Sequence, residues 1–563
     1  MLKKLVLLLN TIKYLTARQL FYRILYRLKK VTVPSRSILE ENTSNSALSN
    51  VQLAWRGSEY APQSIFSTGR ATFLNRTANI TDKLIWNDES NSKLWLYNLH
   101  YFDDLNAIGS KSRLSEQQVF INRWIDENSE NKGNGWEPYT LSLRLVNLVK
   151  WCGKNEIYDK NIIISIIQQA KALEQLCEYH ILANHLFANA KALVFVGEFL
   201  GELGDRFFEK GISILEEEVS EQFLSDGAHF ELSPMYHSVM IWDMLELIEL
   251  SSISSKGSLK SKKSSWEQVA RKGLIWLKSM CHPDKGISFF NDAAMGIAPD
   301  PESLLIYAQQ LNINELLIEP LTKKVVSHWD VSGFTSVSNE RFKLILNHAQ
   351  IGPNYQPGHA HADTLSFELS VDEKRLFVNS GTSQYGIGKE REYERSTQAH
   401  NTLMFNDENS SEVWSGFRVA RRACVKNYSC IENNNEVIVS AEHDGYKRFH
   451  KEYRHKRKWK LTQLNFIIED IFPCVVGSKV QTHYHLHPDV TLLEYTNTTI
   501  TVNLGATGVI ILEVSGGSIA LEDYSYHPEF GLSIKSKKIV ISHSDRSGKC
   551  IFSLNLVPNE QKK

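Results

Sequence analysis

The chain reads as α+β in class: a helical region followed by a region of antiparallel strands. Three observations predict this. Apolar residues recur every three to four positions between about Tyr97 and Ile318. Beyond about His328 the period falls to two. No strand pattern interrupts the helical stretch, which argues against alternating parallel-sheet units. At 563 residues the chain is too long for a single core.

The first 30 residues carry eight Lys/Arg and no acid. The apolar run Leu5 to Leu9 is shorter than the roughly 7–15 residues of a secretory core segment. It is broken by Asn10 and Lys13, and no Ala-x-Ala follows. Nothing approaches the roughly 20 apolar residues of a membrane-spanning helix. Leu20, Ile24 and Leu28 on one side, with Arg23, Arg27 and Lys30 elsewhere, predict a basic amphipathic helix. Such a helix either makes peripheral contact with an anionic membrane or docks on its own protein. The Ser/Asn-rich stretch Ser35 to Asn50 reads as a polar linker. The expected organisation is therefore a basic helix and linker over 1–50, a helical domain over 51–325, and a β domain over 326–563. The compartment stays open between cell envelope or periplasm and cytoplasm.

In the helical domain Leu141, Leu145 and Leu148 mark one helix, and Ile164, Ile167 and Leu173 the next. Leu193, Val196 and Leu200 follow, then Met240, Met244 and Leu247. Gly153-Lys154-Asn155, Gly201 to Gly204 and the Lys/Ser-rich Ser251 to Ser265 supply the breaks. In the β domain Phe342, Leu344 and Leu346 alternate with their neighbours. Val437 to Ala441, Phe466 to Ile471, Thr499 to Leu504 and Val509 to Val514 are short and β-branched, as in a sandwich.

A net charge of −1 gives no global pull toward nucleic acid, so an acidic ligand needs a local site. The seven cysteines are scattered with no CxxC pair, which argues against a zinc ribbon or redox dithiol and fits a reducing compartment. His483, His485 and His487 share a strand face, and structure is their expected role. The basic run KRFHKEYRHKRKWK from Lys447 to Lys460 reads as a strand with one solvated face.

Five clusters carry candidate chemistry. They are Gly135-Trp136-Glu137-Pro138-Tyr139 with Arg144, Ala183-Asn184-His185-Leu186, and Glu231-Leu232-Ser233-Pro234-Met235-Tyr236-His237. The others are Phe290-Asn291-Asp292, and Gly358-His359-Ala360-His361-Ala362-Asp363 with Ala399-His400-Asn401. Singly each is compatible with packing. In this order across an α and then a β region, they resemble the heparinase II/III family of polysaccharide lyases, over roughly residues 95 to 560. The basic start Thr16 to Arg23 is similar to members from bacterial surface-polysaccharide gene clusters.

The resemblance implies an incomplete (α/α) toroid followed by an antiparallel β-sandwich, with a groove between them for an acidic polysaccharide. It implies β-elimination at a uronic acid. The C5 proton is only weakly acidic, so the adjoining carboxylate must be neutralised and the enolate stabilised. Asn184 takes that role in the family pattern, with His185 as a further donor or cation. Tyr236 corresponds to the tyrosine that protonates the leaving oxygen; as a base it would need a lowered pKa. His359 corresponds to the partner acid/base from the β domain. Trp136, Glu137, Tyr139, Arg144, His237, Asn291 and Asp292 are the expected substrate contacts. The plainer readings are an ion pair for Glu137 with Arg144, and loop capping for Asn291 and Asp292.

Some relatives hold a structural zinc, and by position its ligands here are His361, Asn379 and His400. Asn379 is a poor ligand beside the usual aspartate, and Asp363 is the nearest substitute. Two other functions remain open at this level. A glycoside hydrolase on the same scaffold would need two carboxylates about 5–10 Å apart, from among Glu137, Asp226, Glu231 and Asp292. The third reading is a non-catalytic glycan-binding protein.

Overall fold

The structure is a computed structural model and describes residues 2–128, 131–313, 324–473, 475–543 and 548–556. The expected end of the helical region at Ile318, and Cys474, lie outside them.

The long helices are Lys93–Tyr101, Leu114–Glu127, Pro138–Asn155, Lys160–Leu176, Ala183–Phe199, Asp205–Gln222, Pro234–Ile253, Lys263–Ser279 and Pro301–Gln310. Ser92, Asp159, Ser233 and Asp300 cap four of them with a side-chain oxygen on a free backbone N–H. Proline opens Pro138–Asn155, Pro234–Ile253 and Pro301–Gln310, where its missing N–H costs nothing. Helix Ala183–Phe199 is buried on almost every side. Its contact with Asp205–Gln222 needs glycine: a Cβ on Gly197 would lie 2.6 Å from the Phe208 nitrogen, and one on Gly211 2.7 Å from the Ala190 carbonyl oxygen. These helices form an incomplete (α/α) toroid.

The stretch read as linker is partly helical. Ser35 caps Arg36–Asn42, whose Leu39 is buried in the toroid core. The pattern was too short to show a period. A small antiparallel sheet, Ile65–Phe66, Arg70–Phe73 and Arg76–Asn79, precedes the toroid helices. Asn75, at its turn, donates to Glu529 and to the Phe530 carbonyl in the β region.

The β region contains three antiparallel sheets of the sandwich. Five strands run in sequence order: Val325–Trp329, Phe334–Ser338, Phe342–Asn347, Phe367–Val371 and Lys374–Phe377. An eight-stranded sheet centres on His455–Thr462, Asn465–Ile471 and Lys549–Leu556. A four-stranded sheet joins Gly517–Tyr526, Ile534–His543, Val480–His485 and Leu403–Phe405. Strand Phe342–Asn347 is buried on both faces. Leu344 and Leu346 enter the sandwich core with Phe367, Trp459 and Phe552. Ile345 instead packs with Trp276, Met280 and Phe290 of the helical region. The five-stranded sheet is therefore the layer on which the toroid sits. Its neighbour Glu368 accepts from His282 at 2.7 Å and from the backbone of Phe289 and Asn379, all buried.

Only the second part of the basic run, from His455, forms the expected strand with one wet face, whereas Lys447 and Arg448 end the short helical turn Gly445–Arg448. Arg457 turns inward to pair with Asp470, while Lys460 meets Glu436 at the surface. His483 and His485 are buried in Val480–His485, and the strand ends before His487.

Candidate active site

The two histidines of the Gly358 to Asp363 motif do not lie on a strand. Strand pairing begins only at Phe367, and Leu365 has a φ of 60°. The irregular loop before it lets both imidazoles turn to one carboxylate. His359 Nδ1 donates to Asp292 Oδ2 at 2.9 Å, and His361 Nε2 to Asp292 Oδ1 at 2.7 Å. Backbone pairing locks the two loops together: Asp292 N–H donates to the His359 carbonyl, and His361 N–H to Asn291 Oδ1, both at 3.0 Å.

Asp292 is fully buried. Arg391 grips it with both guanidinium ends, Nη2 lying 2.6 Å from Oδ2. Burial alone would raise its pKa, but Arg391 and the imidazoles outweigh burial and hold it well below the carboxylate range. A carboxylate on Nδ1 fixes the tautomer of His359 and leaves the Nε2 lone pair open. That Nε2 lies 3.6 Å from Glu231 Oε2, too far for a hydrogen bond.

Tyr236 stacks on His359, with ring centroids 3.8 Å apart, and its hydroxyl meets that of Tyr385 at 2.9 Å. Burial first, then the neighbouring Tyr385, push its pKa well above the phenol value. The lowered pKa expected of a base is therefore reversed, because burial dominates and no cation among the described residues offsets it. In this environment Tyr236 keeps its proton.

Asn184 opens helix Ala183–Phe199, and its amide nitrogen donates to Glu231 at 2.9 and 3.1 Å. His185 Nδ1 meets Glu178 at 3.0 Å and its ring lies 4.5 Å from that of Tyr139. Burial lowers the pKa of His185, but Glu178 more than compensates, so it is raised above the ordinary imidazole value. Leu182, Ala183, Leu232, Asn291 and Leu365 all have φ between 56° and 69°. Positive φ at residues other than glycine costs on the order of 1–3 kcal/mol each and clusters where a surrounding structure enforces it. Here these residues flank Asn184, Glu231, Asp292 and the histidine loop.

Several expected substrate contacts prove to be internal. Arg144 is fully buried, stacked 3.8 Å over Trp124 and donating to Gln169, His100 and Gly135. With its donors spent on carbonyls, it holds the toroid together and is not a helix-end partner of Glu137. His237 is also fully buried: Nδ1 accepts from the His229 backbone and Nε2 donates to the Gly273 carbonyl. Trp136 is buried with its indole donating to Asn128. Asn291 braces the loops, donating to Leu232 at 2.7 Å. Asp292 holds the histidines and faces no solvent. Glu137 and Tyr139 keep partial exposure, Glu137 pairing with Lys93 and Tyr97.

The expected zinc ligands do not converge. His361 Nδ1 faces His400 Nε2 at 3.2 Å, but Asn379 lies 3.0 Å from His400 Nδ1, on the opposite edge of that ring. Asp363, the substitute, is taken up with the Asn291 backbone. Among the described residues no three His, Cys, Asp or Glu side chains gather as a metal site. The residues instead form a chain of one polarity. His361 gives its Nε2 proton to Asp292, so its Nδ1 must accept from His400 Nε2–H, and His400 Nδ1 needs a donor. The structure turns Asn379 Oδ1 toward His400 Nδ1 and leaves the amide nitrogen buried without a partner; exchanging the two ends of the amide supplies the donor and completes the chain. Burial lowers His361 to about 4 and holds His400 well below the ordinary imidazole value, so both are neutral links.

Tyr385, Arg391 and Glu178 were not singled out in the sequence. Arg391 lies in the charged segment Lys389–Glu394, which reads as ordinary surface helix, yet Arg391 and Glu394 within it are buried. No local signal marks it.

The pattern described as Heparinase II/III N-terminus matches residues 88–303, and the Heparinase II/III-like C-terminal pattern matches 322–554. The heparin-sulfate lyase of Bacteroides stercoris is 23% identical over 341 residues, 56% of this chain and 47% of that protein. That of Bacteroides thetaiotaomicron is 24% identical over 390 residues, covering 59% and 53%. The chain thus spans about half the length of these curated relatives. Heparinase III superposes with a TM-score of 0.66 at 16% identity, over 94% of this chain and 88% of that one. Heparan sulfate lyase of Pedobacter heparinus gives 0.56 at 14% identity, over 92% and 86%. The toroid, the sandwich and both sequence matches lead to one conclusion: the chain belongs to the heparinase II/III family.

Proposed function

We propose that the protein is a polysaccharide lyase that cleaves a uronic-acid-containing bacterial polysaccharide by β-elimination. The observation that carries this reading is the stack of His359 on Tyr236, one ring with a free imidazole lone pair and the other with a retained phenolic proton. His359 Nε2 takes the C5 proton, the C–H electrons form the C4=C5 double bond, and the C4–O bond breaks. Tyr236 gives its proton to the departing oxygen, with Tyr385 hydrogen-bonded behind it. His185, its pKa raised beside Glu178, serves as donor or cation to the uronate carboxylate, and the Asn184 amide stabilises the enolate as charge moves onto it. No step involves a metal.

The similarity to heparin-sulfate lyases supports an acidic polymer as substrate. The hydrolase alternative loses two of its four candidate carboxylates. Asp292 is fully enclosed and tied to Arg391, and Glu231 is buried against Asn184. Incubation with a panel of uronic-acid polysaccharides tests the proposal. Ultraviolet absorbance from unsaturated uronyl ends is expected; new reducing ends without it would favour hydrolysis, and binding without turnover a glycan-binding protein.

A further inference from the structure

The segment before the toroid forms two helices, α1 (Leu2–Ile12) and α2 (Ala17–Leu28). Thr16 and Gln19 start α2 with a reciprocal capping box. The helix then lies on the protein in an inverted sense. Its inward side is polar and aromatic: buried Gln19 donates to the Ile181 and Tyr355 carbonyls, Tyr22 stacks on Tyr179, and the Tyr26 hydroxyl donates to Cys177. Its apolar stripe faces water. Leu20, Phe21, Ile24 and Leu28 are exposed, Ile24 at 64% and Leu28 at 76%. No described residue of α1 is buried, and Leu2, Leu5, Leu8, Leu9 and Ile12 are all exposed. Self-docking therefore accounts for the wrong face of α2.

Between the helices and the loop that leads to His359 runs a groove of about 520 Å³ with an alkyl floor that includes Leu8, Ile12, Leu20 and Ile24. Arg23, Arg27, Arg418 and Arg422 line it, and none of the four makes an ion pair among the described residues. Arg422 lies 3.7 Å over the ring of Tyr14, and Arg418 stacks on Trp414. No acid occurs in the first 30 residues to offset eight basic ones. Continuous exposed apolar surface beside uncompensated cations is the complement of an acyl layer under anionic headgroups. Among the described residues no helix is long and apolar enough to cross a membrane, so contact would be at the surface.

We propose that α1, α2 and the arginine-lined groove dock the protein on an anionic phospholipid bilayer. Phe417 lines the same groove, and its ring lies 6.2 Å from that of His359. Docking thus sets the candidate active site beside the membrane. The proposal stands independently of the chemistry performed there.

Flotation of the full chain with vesicles of mixed phosphatidylglycerol and phosphatidylcholine tests it, against vesicles of phosphatidylcholine alone. Binding is expected to the mixed vesicles only and to weaken with salt. Arg23→Gln with Arg27→Gln should weaken it about 25-fold, from roughly fivefold for each basic residue at the surface. Ile24→Glu with Leu28→Glu should abolish it while leaving the melting temperature and turnover of a soluble polymer unchanged. Equal binding to both vesicle types, or unimpaired flotation of the Glu variant, would overturn the proposal. So would an arginine variant that floats normally but shows a raised KM for soluble acidic polymer, which would assign the groove to glycan.

Discussion

Asp292→Asn changes one oxygen to nitrogen at the centre of the site, and its consequences follow from four contacts. Arg391 and His361 donate to Oδ1, and Arg391 and His359 donate to Oδ2. An asparagine has one accepting oxygen and one donating nitrogen. If the oxygen stays on the Oδ1 side, the new NH₂ faces His359 Nδ1, which must give up its proton and accept. The imidazole then carries its hydrogen on Nε2 and has no lone pair for the C5 proton. If the amide turns over, an N–H is aimed at the other end of the Arg391 guanidinium and at His361. Either orientation leaves a buried cation without its counter-charge, a loss of about 3–5 kcal/mol in stability. A catalytic imidazole that loses its orienting carboxylate to an amide loses on the order of 10⁴-fold in kcat. The assay is chromophore release at saturating substrate, beside a thermal melt of the same preparation. A folded Asp292→Asn protein retaining activity within about tenfold of wild type would refute the reasoning, since general base catalysis alone contributes about 10²–10⁴-fold.

Other outcomes follow from the same structure. Tyr236→Phe should lower turnover by about 10²–10⁴-fold with substrate affinity nearly unchanged, read by single-turnover kinetics and equilibrium binding. Arg144→Met should destabilise the fold by on the order of 3 kcal/mol, because three carbonyl acceptors lose a buried cationic donor; KM of the folded protein should not move, and a raised KM would return Arg144 to the substrate. Glu246, buried between Lys150 and Lys191, has a pKa of about 2 because the two lysines outweigh burial. Its stabilisation, up to on the order of 3 kcal/mol, is present above the ordinary glutamate pKa and lost as pH falls through the window toward 2; melting curves should show this slope in wild type and a flatter one in Glu246→Gln. Dialysis against a chelator should leave melting temperature and rate unchanged, whereas stoichiometric zinc release with loss of stability would reinstate His361 and His400 as ligands.

The fold was largely legible because periodicity reports it directly. Leu141, Leu145 and Leu148 do face a toroid core, and Leu344 and Leu346 a sandwich core. What escaped is short or non-local. Helix Arg36–Asn42 is held by one buried leucine, too little for a period. At the site, motif residues such as Asn184, Tyr236 and His359 were visible because they sit in distinctive local strings. Which of them meet water was not. Arg144 and His237 looked as available as His185, yet tertiary packing encloses the first two and leaves His185 partly open. Arg391 reaches Asp292 from 99 positions away, and Tyr385 reaches Tyr236 from 149, so no spacing rule links them. The pair His359 and His361 shows the limit most clearly. On a strand, a separation of two would place them on one face, but strand geometry starts only at Phe367, and the loop sends both to a carboxylate that no local pattern tied to them.

Elimination adds no water to the polymer, whereas hydrolysis adds one molecule at each cut. Cleavage of a uronic-acid polysaccharide in heavy-oxygen water, followed by mass spectrometry of the products, therefore tests the central claim most directly. The account predicts product masses that sum to the intact chain, with an unsaturated uronyl end and no heavy oxygen incorporated during cleavage. A heavy oxygen built into the new end, with no unsaturated partner, would contradict it.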